Sequence, residues 1–107
     1  MAKLVRDLIP EIIRARGEQP RVRHAPPGEY AQLLRHKLVE EAGEVLAAQG
    51  RDAMLEELAD VCEVVNALAA AFGIAMADVE NARLAKKRER GGFAAAFVLD
   101  GPELGPQ

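Results

Sequence analysis

The chain has 107 residues, half of them hydrophobic, 29% charged and 4% aromatic, and its 14 Lys+Arg against 17 Asp+Glu leave a formal net charge of −3. That length fits one compact domain, taken as residues 1–107 with a frayed tail over 101–107, and the apolar share excludes wholesale disorder. No apolar run reaches the roughly 18 residues of a membrane span, and a mildly acidic chain lacks the bulk electrostatics of a nucleic-acid polymer binder.

The opening residues lack the uninterrupted apolar stretch of a signal peptide, and the single cysteine, Cys62, leaves no internal disulfide. A cytoplasmic setting is therefore expected, with no membrane partner. Any polyanion this chain binds has to be met by a local basic cluster or through a metal cation.

The first predicted helix is short. Asp7 is its candidate cap, Pro10 is tolerated in the first turn, and Ile9, Ile12 and Ile13 recur at helical spacing up to Gly17. Gly17, Pro20, Pro26, Pro27 and Gly28 then mark a loop, with an extended piece around Arg21-Val22-Arg23.

The second helix is expected from about Glu29 to Gln49 with Gly50 as its stop, and Tyr30, Leu33, Leu34, Leu38, Ala42, Val45 and Leu46 form its apolar stripe. The third is expected from about Ala53 to Phe72, capped by Asp52 and ended by Gly73. Met54, Leu55, Leu58, Val61, Cys62, Val65, Leu68 and Phe72 give it a wide apolar stripe, in which Cys62 and Phe72 read as core fillers. A fourth helix covers about Met76 to Arg90, with a basic C-terminal half that suits the helix dipole.

Beyond Gly92, the run Phe93–Leu99 is short enough for a C-terminal strand pairing with residues 21–24, although its alanines argue against one. The fold class expected is all-α: an antiparallel bundle of about four helices. Two long helices with so wide a stripe leave apolar surface uncovered in a chain this small, so completion by a homodimer or higher helical oligomer is expected.

Four carboxylates sit where an amphipathic helix does not need them. On a helical projection Glu41 falls inside the apolar face of the second helix, with Glu44 on its flank. Glu57 borders the stripe of the third helix, with Asp60 one turn on. Each pair is spaced i, i+3, so two neighbouring antiparallel helices bring four acids towards one point.

No basic residue occupies the matching face of the third helix, and the shared point reads as empty of protein cations. Uncompensated buried charge costs several kcal/mol, so a hard divalent cation, Mg²⁺ or Mn²⁺, is expected there. A lone glutamate on a helix margin is ordinarily solvated. The signal lies in the repeated spacing on consecutive helices.

These residues resemble a known family. Glu40-Glu41-Ala42-Gly43-Glu44 followed by Glu57-Leu58-Ala59-Asp60 resembles the EExxE…ExxD signature of the MazG-like, all-α nucleoside triphosphate pyrophosphohydrolases. The opening Lys3-Leu4-Val5-Arg6-Asp7-Leu8-Ile9-Pro10 and the late Arg90-Gly91-Gly92-Phe93 look like a compact house-cleaning subgroup.

The resemblance implies cleavage of a nucleotide between its α and β phosphates, with Glu41, Glu44, Glu57 and Asp60 holding Mg²⁺ and Glu40 as candidate general base. The polyanionic substrate also needs cations. Lys86, Lys87 and Arg90 are the best local supply, and Lys3 and Arg6 a second. Two alternatives stay open: hydrolysis of a phosphoribosylated nucleotide by the same chemistry, and a non-catalytic helical interaction module with a structural cation.

Overall fold

The computed structural model describes residues 2–101. It contains four helices, α1 (Ile9–Ala15), α2 (Pro27–Ala47), α3 (Arg51–Ala71) and α4 (Met76–Arg90), and no strand among the described residues. The chain divides into two compact units, the first closing at Met76 and the second opening at Ala77. Residues 102–107, the greater part of the tail expected to fray, lie outside the described residues.

In the first unit α1 starts later than expected. Leu8, not Asp7, is its N-cap, and no side chain caps it, since leucine carries no acceptor; the Ile9 N–H donates to the Arg6 carbonyl at 3.1 Å. Its end is well formed. Gly17 takes φ +86°, and the Gly17 and Glu18 N–H groups donate to the carbonyls of Arg14 and Ile13 at 2.9 and 3.4 Å, which is a Schellman closure.

Helix α2 begins two residues earlier than expected, with Pro27 in its first turn and the Tyr30 N–H donating to the Pro26 carbonyl at 2.8 Å. Proline suits that position because the N–H it lacks has no intrahelical acceptor there.

Gly50 does not end α2. The helix finishes at Ala47 with Ala48 extended, and Gly50, at φ +86°, is the N-cap of α3. Its carbonyl accepts the Met54 N–H at 3.1 Å. Asp52 therefore moves from the expected cap into the first turn of α3, where it still faces the positive end of the dipole. Gly73 terminates α3 as expected. At φ +67° it and Ile74 donate to the carbonyls of Ala70 and Ala69 at 3.1 and 2.8 Å.

Helices α2 and α3, 21 residues each, pack against one another across the turn at residues 48–50. The buried apolar residues at this packing are Leu34, Val64 and Ala69, and a fourth buried side chain there is Glu41. Since α2 covers only one edge of the wide α3 stripe, the other edge stays open: Leu55, Leu58 and Cys62 are exposed.

Phe72 is 51% exposed with the Arg35 guanidinium 5.2 Å over its ring. The expectation that Cys62 and Phe72 fill a core is thus corrected. Val39 and Leu46 on α2 are exposed as well. No single helix is long and apolar enough to cross a membrane.

The second unit holds α4 from Ala77 on. Glu80 and Arg83 pair one turn apart, with Nε to Oε2 at 3.0 Å, and Lys87, Arg88 and Arg90 occupy the last turn. Gly91 at φ +82° ends the helix. The strand considered for 93–99 does not form: residues 93–95 bend and turn, Ala96 has φ +57°, and Phe93 and Phe97 are exposed. The alanine-rich run has one β-branched residue, Val98, and no ladder partner among the described residues.

Candidate metal centre

The site grows from helical periodicity. Leu34 is buried against α3, and Glu41 lies seven residues on, two turns along the same face, so packing Leu34 inward carries Glu41 inward too. On α3, Glu57 stands in the same relation to the buried Val64. In an antiparallel pair turning at Gly50, Glu41 and Glu57 reach similar heights, and Asp60 follows one turn later.

The outcome is a cluster in which one carboxylate oxygen each of Glu41, Glu57 and Asp60 lies within 4.8 Å of the others. Glu41 is buried, and Glu57 and Asp60 are half-buried. Glu44 is exposed and stands outside that spacing, although its charge acts on Glu57. Glu40 is exposed on the outer side of α2.

The electrostatics single out Glu57. Its carboxyl is held above the usual range first by desolvation and then by the charges of Asp60, Glu44, Glu41 and Glu56. No ion pair engages Glu57 among the described residues.

The other two acids do have cations, which corrects the expectation of a point empty of them. Arg6 donates from Nη2 to Asp60 Oδ1 at 2.7 Å, and Lys37 Nζ lies 3.6 Å from Glu41 Oε1. Lys37 also lies 3.5 Å from Glu40 Oε1, and Lys3 Nζ approaches the same oxygen at 3.6 Å.

The physical reason is plain. Half-buried carboxylates draw the cations that the chain can bring to them. Arg6 arrives from 54 residues away in sequence, out of reach of any local pattern. Lys37 stands three and four residues before Glu40 and Glu41, a local spacing on the second helix, whereas the expectation rested on the face of the third.

Of the five basic residues singled out for phosphate, Lys3 and Arg6 are thus drawn to the acids of α2 and α3. Lys86, Lys87 and Arg90 lie exposed on the C-terminal half of α4, in the second unit. His24 and His36 are exposed.

An open groove of about 560 Å³ adjoins the cluster, walled by Glu41 and Asp60, the cations Arg6 and Lys37, and the apolar Tyr30 and Leu34. Its size is that of a small-molecule site. The three clustered donors are all carboxylate oxygens, with no histidine or thiol among them. Such a set suits a hard, oxygen-seeking dication such as Mg²⁺ or Mn²⁺ better than Zn²⁺.

Comparison with known proteins bears on the same segment. The family model for phosphoribosyl-ATP pyrophosphohydrolase matches residues 5–87, from the segment before α1 through α1, α2 and α3 into α4. A protein of Mycolicibacterium smegmatis described as uncharacterized is 54% identical over 56 residues, which is 52% of this chain and 57% of the relative. The aligned part thus spans little more than half of that relative's length. No solved structure matches the chain. With the family match running through both carboxylate helices, the chain belongs to the phosphoribosyl-ATP pyrophosphohydrolase family, within the MazG-like all-α superfamily.

Proposed function

We propose that this chain is a divalent-cation-dependent nucleotide pyrophosphohydrolase, cleaving an α–β phosphoanhydride bond to release a monophosphate and pyrophosphate. The observation that carries the reading is the meeting of Glu41, Glu57 and Asp60 from two helices within 4.8 Å, with Glu57 destabilised as an anion by burial and by its neighbours. Carboxylates gathered at a cost to the bare protein are what a cation repays on binding.

Glu41, Glu57 and Asp60 hold the ion in this reading, with Glu44 joining from the next turn of α2. Mg²⁺, or Mn²⁺ in its place, supplies screening of the phosphate oxygens and Lewis acidity at phosphorus. Glu40 takes the proton of the attacking water on a carboxylate oxygen, standing outside the cluster with Lys37 and Lys3 beside its Oε1. Lys3 and Arg6 on the N-terminal segment meet the remaining phosphate charge at this cluster; Lys86, Lys87 and Arg90, on α4 of the second unit, are the other basic residues proposed for phosphate.

Two substrates are compatible with this chemistry: a nucleoside triphosphate, ordinary or damaged, in nucleotide-pool house-cleaning, and phosphoribosyl-ATP. The second is favoured by the family match over residues 5–87. The reading includes a cytoplasmic enzyme that self-associates, supported by the exposure of Leu46 at 89%, Val39 at 73% and Leu55 at 57% on the hairpin. Such residues lose contact with water when a second hairpin covers them.

The test is pyrophosphate release from a panel of triphosphates and from phosphoribosyl-ATP in the presence of Mg²⁺ or Mn²⁺, beside a Glu41→Ala control. Release from one substrate that the control abolishes is expected. Equal background in both proteins across the panel leaves the non-catalytic helical module as the better account.

A further inference from the structure

We propose that Lys37, together with Arg6, is a phosphate clamp whose cations compete with a bound dication for Glu41 and Asp60 and turn to the substrate's phosphates. The inference rests on the cation-dependent reading above and adds Lys37, a residue outside the carboxylate signature. Its basis is geometric. Lys37 Nζ lies between Glu40 and Glu41, at 3.5 and 3.6 Å from their Oε1 atoms, and Arg6 Nη2 lies 2.7 Å from Asp60 Oδ1.

Both cations line the groove that Glu41 and Asp60 also wall. Besides Glu40, the carboxylates they touch are Glu41 and Asp60, two of the three residues able to hold a dication. A carboxylate that binds a dication holds a monovalent side chain less strongly. A cation at the cluster repels both side chains and weakens their hold on Glu41 and Asp60, while phosphate oxygens in the open groove offer both fresh acceptors.

The two residues are mounted differently. Lys37 sits mid-helix with its side chain only 20% exposed, so its ammonium stays at the rim of the cluster whatever occupies it. Arg6 lies in the non-helical segment before α1 with its side chain 59% exposed, free to swing away from Asp60. A fixed ammonium and a movable guanidinium on either side of a cation centre suit a diphosphate that bridges the three, the guanidinium through paired N–H groups.

The competition predicts effects of opposite sign on two binding constants. In Lys37→Gln and in Arg6→Gln, Mn²⁺ alone, followed by calorimetry, should bind about two- to fivefold tighter, the range of a lost exposed ion pair. Inorganic pyrophosphate, titrated with Mn²⁺ saturating, should bind about tenfold weaker for the loss of a charge-assisted contact. Lys37→Arg should restore much of the pyrophosphate affinity.

Arg51→Gln changes the net charge equally at a residue paired with Asp52 outside the groove, and should move neither constant. Weakening of both ligands in Lys37→Gln and Arg6→Gln, or no change in either, overturns the clamp and leaves the cation site standing. A wild-type protein that binds no Mn²⁺ removes the cation site and the clamp together.

Discussion

Replacing Leu34 by alanine tests whether the α2–α3 contact holds the carboxylates together. Leu34 is 3% exposed and is the largest of the buried apolar residues, the others being Val64 and Ala69. The substitution removes the γ carbon and both δ carbons, about 2.4 kcal/mol at roughly 0.8 kcal/mol for each buried carbon. The residual cavity adds to this, for a total of about 2.5–4 kcal/mol. The low end fits best, because half-exposed neighbours can relax into the gap.

Domains of this size have total stabilities of about 5–15 kcal/mol, so the loss is a large share. At about 4–8 °C per kcal/mol, the low-end loss lowers Tm by roughly 10–20 °C. Thermal melts by far-UV circular dichroism measure it at low protein concentration, with Leu46→Ala as the matched control. Leu46 is on the same helix but 89% exposed, and its truncation should leave the dilute melt unchanged.

Leu34 and Glu41 share one face two turns apart, so the Leu34→Ala protein should also bind Mn²⁺ more weakly. A Leu34→Ala protein that melts with the wild type, or a Leu46→Ala protein that loses more stability than it, refutes the packing described above.

Glu57→Gln should raise the Tm of the cation-free protein and abolish the rise on adding Mn²⁺. The sign follows from its raised pKa: the folded state holds the Glu57 proton to higher pH than the unfolded chain does, so ionising the carboxyl costs stability as pH increases through that window. The advantage of Glu57→Gln should accordingly be present at neutral pH and fade on acidification, as melts across pH will report.

Gly43→Ala and Gly73→Ala should have opposite effects in the same melts. Space for a Cβ is open at both, but Gly43 is an ordinary residue inside α2, where alanine gains about 0.5–1 kcal/mol, whereas Gly73 at φ +67° loses about 1–2 kcal/mol. Glu29 should titrate below the usual carboxylate range, because Arg23 donates to both of its oxygens at 2.6 Å. NMR should find that depression gone in Arg23→Gln. The stability it lends, small at an exposed pair, is present above the unfolded pKa and lost as pH falls through the folded one.

Helix positions and the glycine and proline breaks between them were readable from the chain because they depend on neighbours within a turn or two, although Gly50 caps α3 rather than ending α2. The inward aim of Glu41 was readable for the same reason: its distance from Leu34 is a whole number of heptads. The match of Glu41 with Glu57 needed only a hairpin turning near Gly50. Even Lys37 was within reach of local spacing.

What no local rule could give was which edge of the α3 stripe would meet α2, and so whether Cys62, Leu58 and Phe72 would be covered. A stripe wider than one neighbouring helix has two ways to be half-buried, and only the packed pair chooses between them. The partner of Asp60 belongs to the same class. Arg6 reaches it across the whole of α1 and α2, and a contact between residues 54 apart exists only once the helices have been laid side by side.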